Sequence, residues 1–273
     1  MIYLKPYIMK RFILVPIIMA FSLALFSQVP FKVITVNGEI IATKANVTLE
    51  NGVEVNSDDN FDFRRPNSRA AMINSERGRI VLTEQNAADA FSRAAFAPAM
   101  SSVSSRSGAV SSLSELQSVF TNKMLIIDEI DLQVGAELFP MEDQKFFFIR
   151  YSYNNETINK RLPFKGDVLT IDKDELFVVD GKPIPGPDSK EVTLYYHKKT
   201  DDTPESILIT SFEPIFVSSE SLKPEVKIII DEFQGEPTEK VLAEVYDYLS
   251  SFYGNVDRTH LECWLKKEFK LNL

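Results

Sequence analysis

"KFFFIRYSYNNETINKRLPF", residues 145–164, decides the fold class. It reads as two extended segments rich in aromatic and β-branched residues, with Asn154-Asn155 as the turn between them. Three consecutive phenylalanines, 146–148, cannot all face one side of a strand, because successive side chains alternate. At least one therefore points away from the core, and the expectation is that helices at the end of the chain cover it.

The same pattern continues on both sides. "KMLIIDEIDLQV", "DVLTI", "ELFVVDGKPI", "KEVTLYYHKK", "ESILITSFEPIFV" and "EVKIIIDEF" read as further strands between Lys123 and Phe233. Gly166-Asp167, Asp180-Gly181 and Pro183, Pro185 and Pro187 punctuate them. No segment of helical period separates these strands, so crossover helices and a parallel sheet are not expected. Residues 122–235 are assigned to an antiparallel, sandwich-like β domain. The period then changes. "EPTEKVLAEVYDYLSSFYG" aligns Val241, Leu242, Val245, Leu249 and Phe252 on one stripe, and "DRTHLECWLKKEFKL" aligns Leu261, Trp264, Leu265 and Phe269. Residues 236–273 are therefore two amphipathic helices, packed as a hairpin on the β domain.

Upstream, residues 29–96 read as a small β module. "FKVITVNGEIIAT" and "VTLENGVEV" carry Asn37-Gly38 and Asn51-Gly52, both strong two-residue hairpin signals. "SRAAMINSERGRIVL" reads as strand, turn, strand. "TEQNAADAFSRAAFAPAM" reads as a short helix ending before Pro98. Residues 97–121 are rich in serine and are assigned to a linker. The fold class is thus mainly β: a small N-terminal module, an antiparallel domain and two terminal helices.

Residues 1–28 have the layout of a secretory signal. Lys5, Lys10 and Arg11 form a basic end, Phe12 to Phe26 an apolar run, and Ala24 and Ser27 the small cleavage positions. The run is short against the ~20 residues of a spanning helix. Export with cleavage is the expectation, with an uncleaved membrane tether as the alternative and Met9 as an alternative start. Removing residues 1–28 takes the formal charge from −9 to −12. Nucleic acid is a poor partner for so acidic a chain. The one cysteine, Cys263, permits no intrachain disulfide.

Val36-Asn37-Gly38-Glu39-Ile40, Asn67 to Ile73, and Glu76-Arg77-Gly78-Arg79-Ile80-Val81-Leu82 resemble in order the first turn, middle strand and last hairpin of the FecR-type periplasmic domain. The resemblance covers about fifty of the 273 residues. It implies a β fold and an envelope compartment. It does not imply sigma-factor control, since nothing matches the cytoplasmic segment and membrane helix of those regulators. The chain as a whole also resembles exported proteins of the Bacteroidota.

Candidate sites are few. Arg64, Arg65, Arg69, Arg77 and Arg79 crowd into residues 61–82 and could hold an acidic envelope protein or polymer, although strand-edge charges commonly serve structure. Tyr151 and Tyr196, on the aromatic strands, could hold a glycan if exposed. His197 reads as a strand-edge residue. His260 and Cys263 stand at i and i+3 on the last helix, where a thiolate–imidazolium dyad competes with packing of Cys263 on the apolar stripe. "SDDNFD" and "DKDE" are acidic turns rather than calcium loops. No catalytic motif or cofactor is called for. The expected function is non-catalytic binding in the bacterial envelope, with carbohydrate or peptidoglycan binding as the alternative.

Overall fold

The computed structural model describes residues 30–98, 109–200 and 203–271. The expected signal segment and residues 99–108 of the serine-rich stretch lie outside them. The chain is mainly β, with 41% strand and 24% helix, and its sheets are largely antiparallel.

Seven strands build the N-terminal module: β1 (Phe31–Asn37), β2 (Ile40–Ala42), β3 (Val47–Thr48), β4 (Glu54–Val55), β5 (Phe61–Phe63), β6 (Arg69–Asn74) and β7 (Gly78–Thr83). They form one sheet of order β4-β1-β6-β7 and a second of order β3-β2-β5. Phe31, Val33, Ile40, Met72 and Leu82 fill the space between the two. Neither Asn37-Gly38 nor Asn51-Gly52 closes a hairpin. At both, the chain leaves one sheet for the other, since β1 pairs β4 and β6 while β2 pairs β3 and β5. Asn-Gly supplies the positive φ of a sharp corner as readily as that of a hairpin. At Gly38 (φ +96°) a Cβ would fall 2.1 Å from Ser68 Oγ, which accepts the Glu39 N–H. The β6–β7 hairpin is as expected, with Asn74 Oδ1 accepting the Glu76 and Arg77 amides in the turn. The helix expected before Pro98 is a single 3₁₀ turn, Ala90–Arg93.

The serine-rich stretch contains structure: α1 (Leu113–Val119), capped by Ser112, buries Leu116 and Val119. The linker therefore does not extend to residue 121. Strands β8 (Lys123–Ile127), β9 (Glu129–Gln133), β10 (Lys145–Tyr153), β11 (Glu156–Arg161), β12 (Phe164–Lys165) and β13 (Val168–Asp172) follow. A helical turn α2 (Lys173–Leu176) leads to β14 (Val178–Val179), β15 (Lys182–Pro183), β16 (Val192–Thr200) and β17 (Thr203–Val217). The turns at Asn154-Asn155 and Asp180-Gly181 are two-residue hairpins with both central residues at positive φ; the second splits the expected strand "ELFVVDGKPI" into β14 and β15, and that segment's first two residues belong to α2.

Beyond β17 the expected strand "EVKIIIDEF" is instead part of a helix, α3 (Ser219–Glu232). Three successive isoleucines favour a strand locally. Leu222, Val226, Ile229 and Phe233 nevertheless share a helical stripe, and the Ser218 hydroxyl caps the first turn. Burial of that stripe overrides the local preference. The two terminal helices are α4 (Thr238–Phe252) and α5 (Arg258–Phe269), with the short strand β18 (Asn255–Val256) between them.

The large sheet has order β11-β10-β16-β17-β8-β18 and is mixed, not purely antiparallel. The pairs β17–β8 and β18–β8 are parallel, which corrects the sequence expectation. The long return from β8 to β17, and the helices α3 and α4 before β18, supply the crossovers that parallel pairing requires. One face of this sheet packs on β9 and β13 through Phe147, Ile149, Tyr196 and Phe212. Among the described residues, the other face is covered only over its parallel half. There Leu125, Ile127, Ile215 and Val217 meet α3, α4 and α5. The same helical layer buries Ile34, Ala71 and Ile73 of the N-terminal sheet on its far side. The helices are thus a shared filling between two sheets, rather than a hairpin resting on one domain.

Candidate binding surface

The antiparallel half of the large sheet keeps an uncovered outer face among the described residues. Alternation along β10 sends Phe147, Ile149 and Tyr151 into the core and Phe146, Phe148 and Arg150 outward. On β16 it sends Leu194 and Tyr196 inward and Thr193, Tyr195 and His197 outward. The extra phenylalanines are therefore covered by side chains of the sheet itself, and not by the terminal helices. Phe148 and Tyr195 are cross-strand partners and stack at 5.0 Å with an interplanar angle of 7°. Phe146 and His197, the next outward pair, lie 4.9 Å apart. A bulge in β17 between the partners of Leu194 and Tyr195 places Leu208 beside Tyr195, 55% exposed.

Two guanidiniums complete the ladder. Arg150 lies over the Tyr195 ring at 4.6 Å and Arg161 over Phe146 at 4.4 Å, each near enough for a cation–π contact. Arg150 Nε donates to Asn159 Oδ1 at 2.8 Å. That bond fixes the plane of the group and leaves its two terminal nitrogens without a hydrogen-bond partner among the described residues. Arg161 is more committed, donating to the Glu142 carbonyl at 3.4 Å with Asp143 at 3.9 Å. Thr193 and Ser211 hydroxyls pair at 2.9 Å alongside. A stacked arginine with an open fork is a preorganised site for a carboxylate or phosphate.

His197 Nδ1 and Ser206 Oγ are 3.1 Å apart on this face. The pair has the contact of a base and a nucleophile. It stands on the β16–β17 ladder, where His197 and Ser206 are cross-strand partners.

The residues singled out from the sequence lie elsewhere. Tyr151 and Tyr196 are buried, with their hydroxyls donating to the carbonyls of Leu176 and Pro140 at 2.9 and 2.7 Å. Burial pushes the Tyr196 hydroxyl up to about 12. Both sit on the inward register of their strands, so the expectation that they present an exposed binding face is corrected. Phe146, Phe148 and Tyr195, one position away, are the outward aromatics. The five arginines do not form one patch. Arg64 pairs with Asp62 at 2.9 Å and Arg65 with Glu39 at 3.6 Å, both at the surface. Arg77 donates to the Phe91 carbonyl at 3.1 Å. Arg69 and Arg79 face the helical layer. Arg69 donates to the Phe252 carbonyl at 2.7 Å and lies 4.3 Å over its ring. Arg79 bonds Ser251 Oγ at 2.9 Å and pairs with Asp247.

Cys263 is exposed, not packed on the apolar stripe of α5 as expected. It borders, with His260, Asp128, Asp131 and Lys267, a shallow cleft of about 340 Å³. His260 Nε2 is buried without a hydrogen-bond partner, and burial lowers the imidazole pKa from its ordinary value near 6.5, with Asp257 opposing. A depressed folded pKa means that the unfolded chain binds the proton more readily. Stability from this group is complete above about pH 6.5 and falls as the pH drops through the folded value. Urea midpoints between pH 7.5 and 5 are expected to fall more steeply for the parent chain than for His260→Asn; equal slopes would show that His260 is not the group responsible.

The acidic turns serve the backbone. Asp59 accepts the amides of Lys44, Ala45 and Asn60, and Asp172 caps α2 through the Asp174 and Glu175 amides. Among the described residues no helix is long and apolar enough to cross a membrane. No protein-family model, no curated protein and no solved structure matches the chain.

Proposed function

We propose that the chain is an exported, non-catalytic binding protein of the bacterial cell envelope, an adaptor, sensor or assembly component. Its binding surface is the uncovered antiparallel half of the large sheet. The observation that carries this reading is the outward face of half-buried Phe146 and Tyr195, the latter stacked on Phe148, which is only 6% exposed beneath it, closed by the open fork of Arg150 and flanked by exposed Leu208. Aromatic and arginine side chains are enriched at recognition surfaces, and an arginine already held by stacking and a hydrogen bond loses less freedom on binding. The basic, apolar and small segments of residues 1–28 support export, and the FecR-like order of residues 31–82 supports the compartment.

The test is retention of the chain on separated envelope fractions: sacculi, surface polysaccharide and outer-membrane protein. Arg150→Ala and Leu208→Asp are surface changes expected to leave folding intact. Retention on at least one fraction is expected to fall about tenfold in both, the loss of ~1.4 kcal/mol typical of a peripheral binding contact. Retention that neither substitution changes would overturn the reading. A hydrolytic activity abolished by Ser206→Ala would overturn its non-catalytic part.

A further inference from the structure

We infer that the open sheet face binds an anionic polysaccharide whose sugars carry carboxylates, an inference that rests on the binding role proposed above. Three observations lead there. The first is charge. In an acidic chain, the outward positions of this half-sheet present Arg150, Arg161 and Lys199; Asp143 stands 3.9 Å from Arg161, and Glu213 at the margin is paired with Lys123. The stacked Arg150 fork takes a planar carboxylate in two parallel hydrogen bonds, and it is already oriented by Asn159 and Tyr195.

The second is shape. The face is a strip, not a pocket. Nine residues of β10 span about 30 Å and four strands about 15 Å, at roughly 3.3 Å per residue and 4.8 Å per strand. A strip of this size suits an extended polymer with repeated contacts better than a small metabolite, which requires a concave site.

The third separates a polysaccharide from an acidic peptide. Extended peptides gain much of their affinity from main-chain hydrogen bonds at a sheet edge. Over the ring stack β10 and β16 lie between paired strands, and their amides and carbonyls are committed there; β17, which pairs β8 only from Glu213 onward, keeps its open edge in the plane of the sheet and beside the rings. What remains on the face itself is ring edge, the exposed Leu208 methyls, the Thr193 and Ser211 hydroxyls and the guanidinium fork. Sugar rings match that set, with C–H faces for the apolar groups, hydroxyls for the hydroxyls and a carboxylate for the arginine.

The experiment titrates the full chain with three polymers of equal length: polygalacturonate, its fully methyl-esterified form and polyglutamate. Polygalacturonate is expected to bind, and to weaken as salt is raised. The ester and polyglutamate are each expected to bind at least tenfold more weakly. Arg150→Gln and Tyr195→Ala are expected to cost about tenfold on polygalacturonate, with melting temperatures recorded to exclude unfolding. Polyglutamate binding as tight as polygalacturonate overturns the glycan assignment. Equal binding of the ester overturns the carboxylate assignment. Binding indifferent to both substitutions overturns the site. Failure of all three polymers, with face-dependent retention on an envelope fraction still observed, rejects this ligand class and leaves the binding role standing. Loss of that face-dependence rejects the binding role itself.

Discussion

Glu225→Ala is expected to lower the unfolding free energy by about 4 kcal/mol, read from urea denaturation at neutral pH. Glu225 is 7% exposed and lies at the meeting of α3, α4 and the N-terminal sheet. Its carboxylate accepts three hydroxyls: Thr35 at 2.8 Å, Tyr248 at 2.5 Å and Tyr253 at 2.7 Å. Thr35 and Tyr248 are buried, and burial pushes the hydroxyl pKa of both tyrosines well above the ordinary range, with Glu225 adding to the rise. Alanine leaves three hydroxyl donors without this acceptor, two of them, Thr35 and Tyr248, in the buried interior and Tyr253 at its half-buried margin. Each costs about 1–3 kcal/mol if water cannot enter, and part of that is recovered where the alanine cavity admits water. Glu225→Gln retains an acceptor and is expected to lose less than half as much. A loss below about 1 kcal/mol for the alanine variant would show that the three hydroxyls find other partners.

Arg79→Ala is expected to cost about 3 kcal/mol and to loosen the N-terminal module from the helices. The Arg79 side chain is only 7% exposed. Burial lowers its pKa from the ordinary value near 12.5, opposed by the charge of Glu244. Glu244 is itself buried, and burial raises its carboxyl pKa, opposed by the Ala97 amide, Arg79 and Lys240. Deleting the guanidinium leaves that carboxylate and Asp247 facing an interior with less positive charge. Removing one partner of a buried charged group is commonly costly, whereas the intact group adds little over apolar packing. Asp247→Ala, on the 39% exposed side of the contact, is therefore expected to cost less than half as much. Faster amide exchange in β6, β7 and α4 of the Arg79 variant, with β10 and β16 unchanged, would place the loss at this junction. A uniform change across both sheets would contradict it.

These two junctions explain why the arginine-rich stretch is misleading in the sequence. Period-2 reading puts Arg77 and Arg79 on one face, but Arg77 stands in the turn before β7 and reaches Phe91 and Phe31 of the N-terminal core, while Arg79 reaches α4 on the other side. Such a reading cannot say that α4 closes over Arg79 with Asp247 and Ser251, 168 and 172 residues further along the chain. A solvent-facing arginine and one buried against Asp247 have the same local sequence. Even so, "RAAMIN" carried a signal. Nearly all of β6 is buried, as in a strand covered on both faces, and continuous apolar character marks such a strand.

The aromatic strands show the same limit by one register step. The run Phe146-Phe147-Phe148 requires outward aromatics, but the choice between Tyr195 and Tyr196 depends on which face of β16 meets β9 and β13. A one-residue change of register exchanges every side chain between core and solvent. The missed helix α3 had a legible cap at Ser218 and a legible stripe from Leu222 to Phe233, hidden under the isoleucine run and Pro224.

What the sequence determined by itself was local: turns at Asn154-Asn155 and Asp180-Gly181, the β6–β7 hairpin, the two terminal helices and the mainly β class. Those features follow from φ preferences and short-range periodicity, which act within about ten residues. The tertiary structure alone decided that β8 pairs in parallel with β17 and β18, that one helical layer fills the space between two sheets, and that half of the large sheet is left open among the described residues. Those outcomes depend on which apolar faces meet across the whole chain, because burial is non-directional and is satisfied only when distant elements are brought together.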